Sequence, residues 1–160
     1  MLPLDAGRSD TLPAFADALR ALLGSTFGRP AFDFLVHDAG HALRAGVAET
    51  PEAQFDEIVA VHLKAPFSLT QRLLPMTADG GRVLNVSTGL ARFTLPGAIA
   101  TDFGGVVHDD ADVNRRIAGT IPLGRVGRPD DVGAAVAALL CDAGGWIYGQ
   151  RVEVSGGQNL

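Results

Sequence analysis

Two short apolar runs, each opening directly into a small polar loop, constrain this chain most. Phe34-Leu35-Val36 leads into His37-Asp38-Ala39-Gly40, and Val83-Leu84-Asn85-Val86 leads into Ser87-Thr88-Gly89. An apolar run without alternation reads as a strand buried on both faces, the habit of a parallel sheet. Parallel strands need a crossover, and the intervening sequence has the period of one. Thr50-Pro51-Glu52 is a helix start, with Phe55, Ile58, Val59 and His62 sharing one face. The pattern runs on through Phe67 and Leu69 to Leu74, with Pro66 predicting a kink or break. Upstream, Leu2–Leu4 reads as a short strand, Asp5-Ala6-Gly7 as its loop, and about Thr11 to Leu23 as a helix with Leu12, Phe15, Leu19, Leu22 and Leu23 inward. Ser25 to Pro30 and Asp79-Gly80-Gly81 read as turns. Downstream, Ala98 to Gly127 is less regular. Pro129-Asp130-Asp131 then opens a helix facing inward with Val132, Ala135, Val136 and Leu139, closed by Gly144-Gly145, and Val152–Val154 makes a last strand. Alternating strands and helices predict an α/β fold, one domain over residues 1–160.

Composition excludes several functions. Twelve of the thirteen basic residues are arginines, scattered along a chain of net charge -5, so no basic stripe exists for nucleic acid. The single cysteine, Cys141, rules out an internal disulfide and fits a reducing compartment. The opening Met1-Leu2-Pro3-Leu4-Asp5 is too soon polar for a signal peptide, and no apolar run reaches membrane-spanning length. A soluble, cytoplasmic protein is expected. His37, Asp38 and His41 offer two imidazoles without a defined set of further ligands, so no metal site is expected. Asp109, Asp110 and Asp112 lack the Gly and terminal Glu of a calcium loop and read as a solvated lid.

Four segments in order then resemble the short-chain dehydrogenase/reductase family. They are Leu4-Asp5, Phe34 through Gly40, Val83 through Thr88, and Pro122-Leu123-Gly124-Arg125 through Arg128-Pro129-Asp130-Asp131-Val132 to Gly149-Gln150 and Ser155-Gly156-Gly157. The His37–Gly40 stretch is a variant of the family's Asn-Asn-Ala-Gly. The resemblance implies an incomplete Rossmann-type doubly wound parallel sheet and interconversion of a carbonyl and an alcohol with NAD or NADP, close to the 3-oxoacyl-carrier-protein reductases. It places Asp5 against adenine and His37, Asp38, Ala39 and Gly40 beside the adenosine ribose. Ile99 and Thr101 fall on the loop that bonds the nicotinamide amide, Thr88 at the catalytic serine, and His62 at the asparagine that holds a relay water.

Each of these residues also has a plainer role. Asp5 and Asp38 suit turns. Thr88 could simply end a buried strand, His62 could be an ordinary helix-face residue, and Ile99 and Thr101 ordinary loop.

Two family features are absent. No Gly-rich strand-to-helix turn precedes the first helix, and no Tyr-x-x-x-Lys exists, since Tyr148 and Lys64 are the only residues of their kinds. The family has one Pro-Gly before its Tyr/Lys helix and another after the following strand. Pro96-Gly97 fits both places, which points to an excised segment between them. The resemblance thus implies a chain without its proton donor, inactive by itself. It also implies orphaned strands, with only the Phe34–Val36 and Val83–Val86 strands keeping each other. Low stability follows, with a tendency to pair with a second copy or a longer homologue. The alternative is a non-catalytic Rossmann-like binding or interaction module.

Overall fold

A computed structural model describes residues 1–42, 45–87 and 110–158. The chain divides into two compact units, Met1–Val86 and Ser87–Leu160.

In the first unit, helix α1 spans Leu12–Phe27, four residues beyond the predicted end. Ser25 is still helical, with its hydroxyl donating back to the Leu22 carbonyl at 3.0 Å, and the predicted turn begins only at Gly28, whose left-handed φ of 70° closes the helix. Strand β1, Phe32–His37, pairs in parallel with β2, Thr77–Asn85, and this two-stranded sheet is the only one among the described residues. The expected pairing of the two apolar runs is therefore present, with Leu35 opposite Val83 and Val36 opposite Leu84.

The sheet also corrects the reading. Asp79-Gly80-Gly81 lies inside β2, where pairing jumps from Phe32–Thr77 to Phe34–Arg82. Gly80 takes the chain around this bulge at φ 78°, and a Cβ on Gly81 would fall 2.8 Å from the Ala78 carbonyl oxygen. The turn residues are real, but they kink a strand instead of preceding one.

Leu2–Leu4 and Val152–Val154 carry no ladder. A strand is defined by the neighbour that satisfies its backbone, and among the described residues neither stretch has one.

Between the strands, α2 (Glu52–Val59) passes through a π turn at Ala60–Lys64 into α3 (Ala65–Leu73). Pro66 neither breaks nor ends the run. The Ala65 N–H reaches back five residues to the Ala60 carbonyl, and this wide turn accommodates a residue that has no N–H to give.

The core joins α1 to α3: Leu12, Ala16, Leu69, Leu73 and Met76 are buried, with Phe15, Leu19, Phe32 and Leu35 packed against them. Leu12 and Leu73 are the most enclosed, at 1% and 2% exposure. The opposite side of the α2–α3 run is bare, with Phe55, Leu63, Phe67 and Leu74 all more than half exposed.

In the second unit, α4 (Ala111–Ala118) occupies part of the stretch read as irregular. Its cap comes from the acidic patch: the Asp110 carboxylate accepts from the N–H groups of Asp112 and Val113 at 2.9 and 3.0 Å. Helix α5 (Pro129–Leu140) starts at the predicted proline. Ahead of it, Arg125 grips Asp131 with two bonds of 2.6 and 2.8 Å, and the same carboxylate accepts the Arg128 N–H at 2.7 Å. These bonds hold the Asp131 carboxyl far below the usual carboxylate range, the Arg125 contact first. Ile121, Val126 and Gln158 are buried, and Gln158 donates to the Thr120 hydroxyl at 3.1 Å. No helix among the described residues is long and apolar enough to cross a membrane.

Candidate nucleotide and carbonyl site

The site residues predicted from the sequence fall into two groups. Thr88, Ile99 and Thr101 lie outside the described residues. Asp5, His37, Asp38, Ala39, Gly40 and His62 all belong to the first unit.

His37 closes β1 and points its ring at the crossover. Its Nε2 lies 2.8 Å from the Thr70 hydroxyl on α3, and partial burial holds its imidazole below the usual histidine range. This side chain ties strand to helix. What His37 can offer a ligand is its backbone, at the point where the strand ends. Asp38, Ala39 and Gly40 are exposed along the loop beyond it.

Asp5 makes a turn: its Oδ1 accepts the Gly7 N–H at 2.9 Å, the plainer of its two roles. The turn lies beside the π segment, since a Cβ on Gly7 would come within 3.9 Å of a Val61 methyl.

His62 sits in the π turn. Its Nε2 lies 2.8 Å from the His41 carbonyl oxygen and 3.4 Å from the His41 N–H. The shorter contact calls for a proton on Nε2, so the ring donates to the carbonyl. The side chain given by resemblance to a relay water is thus engaged with backbone just past the predicted loop.

Glu57, which no sequence motif singled out, lies against the other end of His41. Its Oε1 is 3.0 Å from His41 Nε2, close enough for an ion pair when the imidazole is protonated, although the angle is not that of a hydrogen bond. Only a pairing of His41 with a helix position five residues before His62 would have revealed it, and α-helical periodicity does not suggest that pairing.

The two residues that could have supplied an acid and its ammonium neighbour are not so arranged. Lys64 ends the π turn in the first unit, and Tyr148 is 89% exposed on a non-helical stretch of the second. The described residues therefore hold an exposed loop at the end of β1, and no tyrosine–lysine pair on one helix.

The sequence profile described as "Enoyl-(Acyl carrier protein) reductase" matches residues 1–96 and again residues 92–159. This chain belongs to the short-chain dehydrogenase/reductase family. The two matches overlap at residues 92–96.

Nodulation protein G of Azospirillum brasilense is 27% identical over 164 residues, covering 79% of this chain and 66% of its own length. The 3-oxoacyl-[acyl-carrier-protein] reductase FabG of Thermotoga maritima is 25% identical over 166 residues, covering 82% of this chain and 67% of its own. The chain thus spans about two thirds of these relatives. An alignment of 164 positions that takes in 79% of 160 residues leaves about forty positions filled by the relative alone.

Among solved structures, the angucycline C-6 ketoreductase LanV with bound NADP superposes with a TM-score of 0.85 at 25% identity, over 96% of this chain and 73% of that one. The Rossmann-type architecture, with a partial parallel sheet, is therefore that of the family.

Proposed function

We propose that this chain carries part of a NAD(P)(H)-dependent site for interconverting a small-molecule ketone and an alcohol, and that by itself it does not turn over. The observation that carries the first half is the loop from His37 to Gly40, which leaves the end of a parallel strand beside its crossover helix, where open α/β sheets receive nucleotides. The ketoreductase and 3-oxoacyl reductase names of two relatives support a carbonyl as the reacting group; the profile's own description names an enoyl reductase.

The second half follows from proton accounting. Hydride delivered to a ketone leaves an alkoxide that must be protonated as it forms, and a poised acid contributes about 10²–10⁴ in rate. In the family that acid is a tyrosine whose ionisation is eased by a lysine four residues on. This sequence has no such pair. The overlap of the two profile matches at residues 92–96 and the roughly forty unmatched positions support a segment missing near Pro96-Gly97, the stretch in which that pair would stand.

The remaining roles follow the same reading. Asp5, Asp38, Ala39 and Gly40 contact the adenosine half of NAD or NADP, Ile99 and Thr101 the nicotinamide, and Thr88 the carbonyl oxygen. His62 acts through the loop it holds. The units together make one incomplete Rossmann-like domain, and the single cysteine keeps the cytoplasm as its expected compartment. The bare face of Phe55, Leu63, Phe67 and Leu74 favours pairing with a second copy or a longer homologue.

Titration of the 160-residue chain with NADPH and NADH by calorimetry, with a turnover assay on ketone substrates, tests the proposal. Weak saturable binding without turnover is expected. Turnover that survives purification would refute the missing-acid argument, and absence of any binding would refute the nucleotide reading.

A further inference from the structure

We propose that Glu57 is a positioning residue for the nucleotide, acting through His41 on the loop that leaves β1. This rests on the nucleotide reading of that loop.

Three contacts carry the inference. Glu57 Oε1 lies 3.0 Å from His41 Nε2. Five residues further along the same helical run, His62 Nε2 donates to the His41 carbonyl at 2.8 Å. The two imidazoles lie with centroids 5.7 Å apart and planes tilted by 39°. One helical run therefore bonds the backbone of a single loop residue and sets a carboxylate against its ring, an ion pair when that imidazole is protonated, and that residue follows Gly40 directly.

The π turn explains how one helix face can do this. On an unbroken α-helix, positions five apart diverge by about 140° and do not face one residue together. Widening the turn at Ala60–Lys64 by one residue swings position 62 back toward position 57. Pro66 follows that turn by two residues and has no N–H for the ordinary ladder, so the sequence itself favours the wide turn. Insertions of this kind recur at functional sites.

The loop needs an outside hold. Ala39-Gly40 has almost no side chain with which to fix its own path, and its freedom would be lost on binding a ligand. Holding His41 beforehand reduces that loss. Both side chains of the Glu57–His41 pair are partly exposed, so the pair adds little to global stability. Its effect falls on the order of residues 38–42, and through that on nucleotide affinity.

The test uses the full 160-residue chain and its Glu57→Gln and Glu57→Asp variants. Amide exchange at residues 38–42 is followed by NMR, and NADPH affinity by calorimetry. Glu57→Gln is expected to speed exchange at Gly40, His41 and Ala42 about ten-fold and weaken NADPH binding three- to ten-fold, with an unchanged melting temperature. Glu57→Asp, which keeps the charge, is expected to recover part of both losses. Unchanged exchange in Glu57→Gln overturns the proposal. So does faster exchange with unchanged affinity, which would leave the nucleotide reading standing. A parent chain that binds no NADPH overturns the nucleotide reading itself, and the inference with it.

Discussion

Adjacent leucines at the end of α3 and just beyond it offer a sharp test of where the first unit keeps its stability. Leu73 is 2% exposed and packs in the cluster with Leu12, Ala16, Leu69 and Met76, whereas Leu74, the next residue, is 60% exposed. Truncating Leu73 to alanine removes buried methyl groups and leaves a cavity in a core of only five enclosed side chains. The expected loss is about 2–5 kcal/mol, toward the upper end where neighbours cannot collapse inward. Domains have only about 5–15 kcal/mol in total, and a unit with one small core sits low in that range, so Leu73→Ala should leave much of the first unit unfolded at room temperature. Leu74→Ala should stay within about 0.5 kcal/mol of the parent. Urea titration followed by far-UV circular dichroism reads both. Trp146 fluorescence is unsuitable, because that ring is 98% exposed and lies in the second unit. Equal midpoints for the two variants would show that the α1–α3 contact is not the core and would refute the packing argument.

Other expectations follow from single contacts. Asp131→Ala removes the acceptor shared by Arg125 and the Arg128 N–H, so amide protection in the first turn of α5 should fall while α4 keeps its own; uniform protection would contradict this. His37 has its imidazole below the usual histidine range in the fold, so the unfolded chain takes up the proton first. Stability of the first unit should therefore be full above the ordinary histidine range and decline as pH falls through it, with His37→Gln flattening that limb of a pH–melting profile. Gly156→Ala places a Cβ 2.9 Å from a methyl of buried Ile121 at φ 66°, and should cost about 1–2 kcal/mol in a thermal melt of the second unit.

Much of the fold was legible because apolar runs and helix starts carry direct physical signals. Phe34-Leu35-Val36 and Val83-Leu84 form the sheet, and Pro129 begins its helix as expected. What escaped depends on contacts that sequence does not display. Leu2–Leu4 and Val152–Val154 have strand composition, yet strand formation is decided by a neighbour. Asp79-Gly80-Gly81 has turn chemistry that a bulge uses equally well. The π turn hides Glu57, because a 3.6-residue period places it away from His62. For the candidate site, the loop from His37 to Gly40 lies at the end of its strand as read, while the contacts of Asp5 to the Gly7 N–H and of His62 to the His41 carbonyl depend on loop paths that sequence does not display.

The proposed function attributes the absence of a tyrosine–lysine pair to a segment missing near Pro96-Gly97. The direct test is to insert there the segment, Tyr-x-x-x-Lys included, that a complete family member carries between its two Pro-Gly sites, and to measure NADPH-dependent ketone reduction. Turnover is expected in the inserted chain and not in the parent, abolished again when the inserted tyrosine is changed to phenylalanine. An inserted chain that folds, binds NADPH and still reduces nothing would contradict it.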